Sequence, residues 1–204
     1  MNTKFIKSPN YSNREGQQIL GIVCHITDGT AKSAIQHFTN HASKVSAHYL
    51  VQRNGDTIQF VEEHLAAWHA GYKVKPTAKL VLDNIDKNPN SYTIGIEHEA
   101  FSNQDLTEIQ YVSSAKLISE ICQRNGLAIN RETILRHNEI RKDKICPGLV
   151  FVEKLIDLTK NPPQISQVDE LQIKISLLQK IMELLKSLNS YRKLGSNEDE
   201  RGEI

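Results

Sequence analysis

The chain has 204 residues, 39% of them hydrophobic and 24% charged, with a formal net charge of +1. That length and balance suit one domain with a buried core and a short appendage, and they argue against nucleic acid or any bulk electrostatic grip on an anionic surface. No apolar run is long enough for a membrane helix, and three cysteines in a chain this long suit a reducing compartment better than a disulfide framework.

In chain order, residues 1–10 show neither an apolar h-region nor a small-residue cleavage site. The expectation is therefore synthesis in the cytoplasm without a signal peptide. Residues 19–26 are a nearly continuous apolar run rich in β-branched side chains, the pattern of a central strand buried on both faces, with His25 near its end. Thr30 is placed to cap a helix whose Ile35, Phe38 and Ala42 share one side. Residues 47–53 and 57–61 flank Asn54-Gly55-Asp56, a hairpin signal because Asn and Gly tolerate the positive φ of a tight turn.

Residues 93–99 read as a strand with Ile94 and Ile96 on one face and Gly95 and Glu97 on the other. Asp105 and Glu108 form a capping-box pattern, with Asp in place of Ser or Thr, for a helix that runs to about Asn125 and stops at Gly126. Residues 133–135 read as a short strand delivering His137. Pro147 suits the first turn of a last domain helix over 148–159, and Asn161-Pro162-Pro163 ends it.

Beyond a proline-rich linker at 161–165, Val168, Leu171, Ile175, Leu178, Met182 and Leu185 keep heptad spacing. Leu177, Ile181, Leu184 and Leu188 add a second stripe. The expectation is an amphipathic helix over 166–194 and a disordered tail over 195–204. Docking on its own domain and wall targeting compete with self-association. A homo-oligomer is favoured, because a docked helix needs no strict 3.5-residue period and a stiff linker holds the helix away.

Three stretches carry the chemistry: Ile22-Val23-Cys24-His25, Leu135-Arg136-His137-Asn138 and Lys144-Ile145-Cys146-Pro147-Gly148. They offer two imidazoles and a thiolate, a ligand set for Zn2+ with one position open, as in catalytic rather than structural sites. Ile94-Gly95-Ile96-Glu97 adds a carboxylate suited to act as base. Taken singly, His25 reads as structural and Cys146 as a small buried hydrophobe. His37, His41 and His64 read as surface or packing residues.

The ordered set His25-Ile26-Thr27-Asp28-Gly29, Val45-Ser46-Ala47-His48-Tyr49, Asn54-Gly55, Ala67-Trp68-His69-Ala70-Gly71, Ile94-Gly95-Ile96-Glu97, Arg136-His137 and Lys144-Ile145-Cys146-Pro147-Gly148 resembles the zinc-dependent N-acetylmuramoyl-L-alanine amidases. That group includes phage-type lytic amidases, anhydromuropeptide amidases and peptidoglycan recognition proteins. The resemblance covers residues 15–160, taken with the N-terminus as a catalytic domain over 1–160.

It implies an α/β fold with a mixed sheet of about five to six strands flanked by helices, the strands of His25, Glu97 and His137 being neighbours near the sheet centre. It also implies zinc ligands at His25, His137 and Cys146, with Glu97 and Lys144 catalytic. Cysteine stands where many relatives have aspartate. Ala47 stands where some have tyrosine, which leaves Glu97 to carry acid–base work alone.

The resemblance further implies that His69 lies by the substrate groove and that His48 braces the site. Trp68 reads equally as a wall for sugar or peptide and as a core residue, and Lys144 alone would read as a solvated lysine.

The implied activity is hydrolysis of the amide between N-acetylmuramic acid and L-alanine of peptidoglycan, with cell-wall lysis by a phage or prophage endolysin released through a holin. A cytosolic recycling amidase or an autolysin is the alternative. A non-catalytic peptidoglycan-binding module, a Cys146–His137 cysteine peptidase and a structural zinc are weaker readings: all three metal ligands are present, His25 would be idle in a peptidase, and no fourth ligand is evident.

Overall fold

The computed structural model describes residues 3–162, 178 and 181–186. The chain divides into two units, Met1–Pro162 and Pro163–Ile204. In the second, residues 178 and 181–186 are helical. The remainder of the heptad segment, most of the linker and the tail lie outside the described residues.

In chain order the first unit runs β1 (Thr3–Phe5), β2 (Tyr11–Asn13), β3 (Gly21–Ile26), α1 (Ala31–Thr39), β4 (Tyr49–Val51), β5 (Thr57–Gln59), β6 (Leu65–Ala67), α2 (Lys79–Leu82), α3 (Pro89–Tyr92), β7 (Thr93–His98), α4 (Glu108–Asn125), β8 (Ile134–Arg136) and α5 (Val152–Lys160). Six strands form a mixed sheet in the order β1-β5-β4-β7-β3-β8, and β2 pairs with β6 apart from it. The β4–β5 hairpin is antiparallel, while β3 lies parallel between β7 and β8.

Every residue of β3 is buried, as its unbroken apolar run requires. Alternation then sorts side chains by face. Ile22, Cys24 and Ile26 of β3 and Ile94 and Ile96 of β7 pack with Leu117, Ile118 and Ile121 of α4 and Leu155 and Ile156 of α5. On the opposite face Leu50 and Ile58 meet Ala31, Ala34 and Phe38 of α1, and Val23 and Leu135 meet Val81 of α2. His25, Gly95 and Glu97 share this second face.

Several expectations need correction. The strand before His137 neighbours β3 but is an edge strand, because nothing in the chain pairs beyond it among the described residues. The capping box of α4 is Thr107 with Gln110, not Asp105 with Glu108; Asp105 instead accepts from the Leu106 N–H and the Tyr111 hydroxyl. The last helix begins at Val152 rather than 148, because Gly148 has φ +62°, left-handed backbone that no α-helix accommodates. Ala42 lies beyond α1, in a short 3-10 turn, and is exposed. The three-residue strands β1, β2 and β6 carry no periodicity long enough to read.

Thr107→Ala removes the hydroxyl that accepts from the Gln110 N–H. It should cost about 1 kcal/mol, the usual value of a lost N-cap, read as a lower urea midpoint with an unchanged slope.

Candidate metal centre and its cleft

Strand β3 presents His25 beside Glu97 of β7, its register partner. His137 arrives where β8 ends in a short 3-10 turn. Glu139 pins that turn by accepting from the Arg136 N–H at 2.7 Å and from Arg131 at 2.5 Å. The loop that follows returns Cys146, and the Asn138 N–H closes it by donating to the Cys146 carbonyl at 2.9 Å. The ligand atoms of His25, His137 and Cys146 therefore lie within 4.8 Å of one another, although His25 is remote in sequence.

The ring orientations follow from hydrogen bonds. His137 Nε2–H donates to the Ala70 carbonyl at 3.2 Å, which leaves Nδ1 as the free lone pair. His25 Nε2 meets His69 Nδ1 at 3.0 Å, and His25 Nδ1 lies 3.8 Å from Cys146 Sγ. The Ile26 N–H donates to that sulfur at 3.3 Å. His25 thus aims Nδ1 at the thiol, and each imidazole has its Nε2 engaged, as expected where outer partners fix metal-binding rings. Zinc bonds of about 2.0–2.3 Å separate tetrahedral ligand atoms by roughly 3.3–3.6 Å; the His25–Cys146 pair, at 3.8 Å, is near that span, and the three together could hold this ion once they draw in from separations of up to 4.8 Å.

The electrostatics point the same way. Burial, with help from neighbouring imidazoles, pushes the His25 pKa well below normal, and burial lowers His137 to about 4. Both rings are neutral, the form that binds metal. Burial pushes the Cys146 thiol up, and the nearby Glu97 adds to this. Burial raises Glu97 to about 8. Its Oε2 is enclosed with no hydrogen-bond partner among the described residues. Burial therefore favours the neutral forms of both groups, and a cation bound beside them would favour the thiolate and the carboxylate.

Around this centre His69 is buried, and its Nε2 meets Thr93 Oγ1 at 3.3 Å. Both its ring nitrogens are engaged, so it supports His25 from behind. It fits because β7 has glycine at 95: a Cβ there would sit 2.4 Å from the His69 ring. His48 is fully buried; its Nδ1 accepts from the Gly95 N–H at 3.0 Å and its Nε2–H donates to the Leu65 carbonyl at 3.1 Å.

Trp68 is half-buried, with its indole N–H donating to Ser12 at 3.3 Å. It forms a wall shared by two cavities of about 690 and 680 Å3, one over the three ligands and Glu97, the other beyond it. Lys144 is exposed at the rim of both and has no ion pair among the described residues.

Sequence reasoning missed Arg14. Its guanidinium is buried and donates to the carbonyls of Glu63, Ser91 and Thr93, tying β2 to the start of β7. It also missed Asn90, whose Oδ1 accepts from the backbone N–H groups of His69 and Ala70. Neither sits in a motif. Their signal is burial of a polar side chain, which needs coordinates.

The N-acetylmuramoyl-L-alanine amidase profile matches residues 15–149, more than half of the chain. N-acetylmuramoyl-L-alanine amidase A of Achromobacter lyticus is 34% identical over 123 residues, 59% of this chain and 60% of that protein. This chain thus spans 60% of the length of that curated relative.

Among solved structures, a selenomethionine derivative of AmpD superposes with a TM-score of 0.62 at 22% identity, covering 77% of this chain and 93% of that one. The amidase AmiD from E. coli gives 0.56 at 24% identity, over 76% and 61%. These two likenesses define the fold. The chain belongs to the N-acetylmuramoyl-L-alanine amidase family.

His48 and His98 are buried, with pKa values lowered by burial from 6.5 to about 3 and about 4. The unfolded chain takes up these protons near pH 6.5 while the folded chain refuses them. Stability should therefore fall as pH drops from about 6.5 to about 4, by up to about 1.4 kcal/mol per pH unit per histidine. Urea midpoints that stay flat between pH 7 and pH 5 would contradict this.

Proposed function

We propose that this chain hydrolyses the amide joining the lactyl group of N-acetylmuramic acid to L-alanine in peptidoglycan, using zinc held by His25, His137 and Cys146. The observation that carries this reading is the convergence of three ligand atoms beside Glu97, whose Oε2 is enclosed with no hydrogen-bond partner among the described residues. The E. coli AmiD structure is a complex with anhydro-N-acetylmuramic acid-L-Ala-D-γ-Glu-L-Lys, which supports the substrate class. The two cavities meet at Trp68, His69, His137 and Lys144 and make an open groove. Such a groove suits a polymer, so intact wall is the proposed substrate and lysis the outcome.

Zinc there would polarise the carbonyl and make water nucleophilic near neutral pH. Glu97 takes a proton from the attacking water and returns it to the alanine nitrogen as the C–N bond breaks, leaving a muramyl carboxylate and a free amine. Lys144, on a flexible stem at the rim, sets its charge against the carbonyl oxygen as negative charge builds there. His69 holds the His25 ring in register, and Trp68 walls the groove.

The test is digestion of purified walls with excess chelator, then after zinc is restored. Activity should vanish and return. Glu97→Gln should keep zinc yet lose turnover by about a hundred- to ten-thousand-fold. Full activity of metal-free protein, or wild-type turnover of Glu97→Gln, would overturn the reading. Cleavage of soluble muropeptides without lysis of walls would reject the polymer as substrate.

We further propose that residues 166–194 self-associate and gather catalytic domains on one wall, raising avidity without a dedicated binding module. The support is the heptad stripe in the sequence. Light scattering should find the full chain oligomeric at micromolar concentration and a chain truncated after Lys160 monomeric. A monomeric full chain refutes it.

A further inference from the structure

Neither metal ligation nor proton transfer accounts for the second cavity, of about 680 Å3, beyond Trp68. Its walls bring together Lys44, Lys73, Lys87, Arg141 and Lys144 against one acid, Asp86. The whole chain has a net charge of only +1, so this concentration is local. Counting Asp143, which pairs with Arg141, still leaves five cations against two acids. Among the described residues none of the four lysines has a carboxylate partner. Like charges gathered on a concave wall repel one another and focus a positive potential into the space between them. An anionic ligand relieves that repulsion.

The wall is built rather than loose. The Arg141 guanidinium binds Asp143 through both Nε, at 3.2 Å, and Nη2, at 2.7 Å. It lies 4.9 Å above the ring of Tyr72, which is 76% exposed. It also lies against Gly71, whose φ of +64° and missing Cβ leave room for it; a Cβ there would meet Nη1 at 3.0 Å. The Lys73 ammonium donates to the Lys87 carbonyl at 2.6 Å and ties the two sides of the cleft together. A held fork and an exposed aromatic face lose little freedom when a ligand arrives.

We propose that this cleft seats the leaving peptide and selects it by its free carboxylates. The assignment of the ligand as a stem peptide rests on the amidase reading. A γ-linked glutamate keeps its α-carboxylate, so such a peptide is anionic just beyond the alanine whose amide is cut. With that amide at the metal centre, the peptide runs along Trp68 towards Tyr72 and Lys87. The sugar lies in the other cavity, by Asp28 and Ile145, where no such excess of cations exists. The cleft therefore favours acidic stem peptides over those amidated at the glutamate α-carboxyl.

The test uses the full chain and two synthetic peptides, L-Ala-γ-D-Glu-L-Lys and its glutamate α-amide, in titration calorimetry at low salt. The muramyl forms of both are followed for hydrolysis in parallel. The acid should bind about fivefold tighter or better, as a few partly exposed charge pairs allow, and the gap should shrink at high salt. Lys73→Ala with Lys87→Ala should bring the ratio to twofold or less. Lys87→Glu, at an exposed side chain with no bond to lose among the described residues, should invert it and serves if the double variant fails to fold. Lys4→Ala on the far edge strand should keep the wild-type ratio. Equal affinity for acid and amide, a ratio indifferent to these substitutions, or no measurable binding of either peptide overturns the proposal. Selective binding without hydrolysis would sink the amidase reading and leave the subsite standing; hydrolysis of both forms alike would do the reverse.

Discussion

The parallel pairing of β3 with β7 is the constraint on which the rest of the molecule depends. Six consecutive partners, from Gly21 with Thr93 to Ile26 with His98, set the register. Because side chains alternate, that register puts Cys24 and Ile96 into the core under α4 and α5 while His25 and Glu97 emerge side by side. A slip of one residue would turn Glu97 into the apolar core under α4 and α5 and turn the isoleucines to the cleft face, so the core and the site enforce each other. The same pairing places Gly95 where only a residue without Cβ leaves room for His69, and His69 in turn orients His25.

The price of this arrangement is polar burial on a large scale. His25, His48, His69 and His98 are all buried within one region, and each is kept neutral by desolvation. Their ring nitrogens are spent on backbone carbonyls, backbone N–H groups, hydroxyls and one another, which is what makes such burial tolerable. Two groups stand apart: Glu97, with an oxygen that has no partner among the described residues, and Cys146, with a thiol driven up by burial. Both would ionise readily only beside a cation. A metal bound there would couple the two, since the charge that steadies the thiolate also favours the carboxylate.

Much of this was legible before any coordinates. The apolar run before His25 admits little but a central strand, the alternation around Glu97 assigns it to the face opposite the isoleucines, and Asn54-Gly55 fixes a hairpin. What stayed hidden is physical rather than accidental. The sheet's outer strand β1 and the β2–β6 pair are three residues each and held by partners far away in sequence, so no local period announces them. The cap of α4 is Thr107 and lies two positions beyond Asp105, and both residue types are competent caps, so the sequence alone does not separate them. The roles of Arg14, Asn90 and His69 come from what surrounds them after folding. The basic cleft joins residues from 44 to 144, none of which forms a charge run of its own there except near Arg141.

We propose that one zinc is held by the Cys146 sulfur and the imidazoles of His25 and His137, each through Nδ1 because its Nε2 is already engaged. Zinc-edge X-ray absorption of the purified full chain tests this most directly. The spectrum should fit one sulfur at about 2.3 Å and two imidazole nitrogens at about 2.0 Å, with one further light atom. A first shell with no sulfur, or with two, would contradict it.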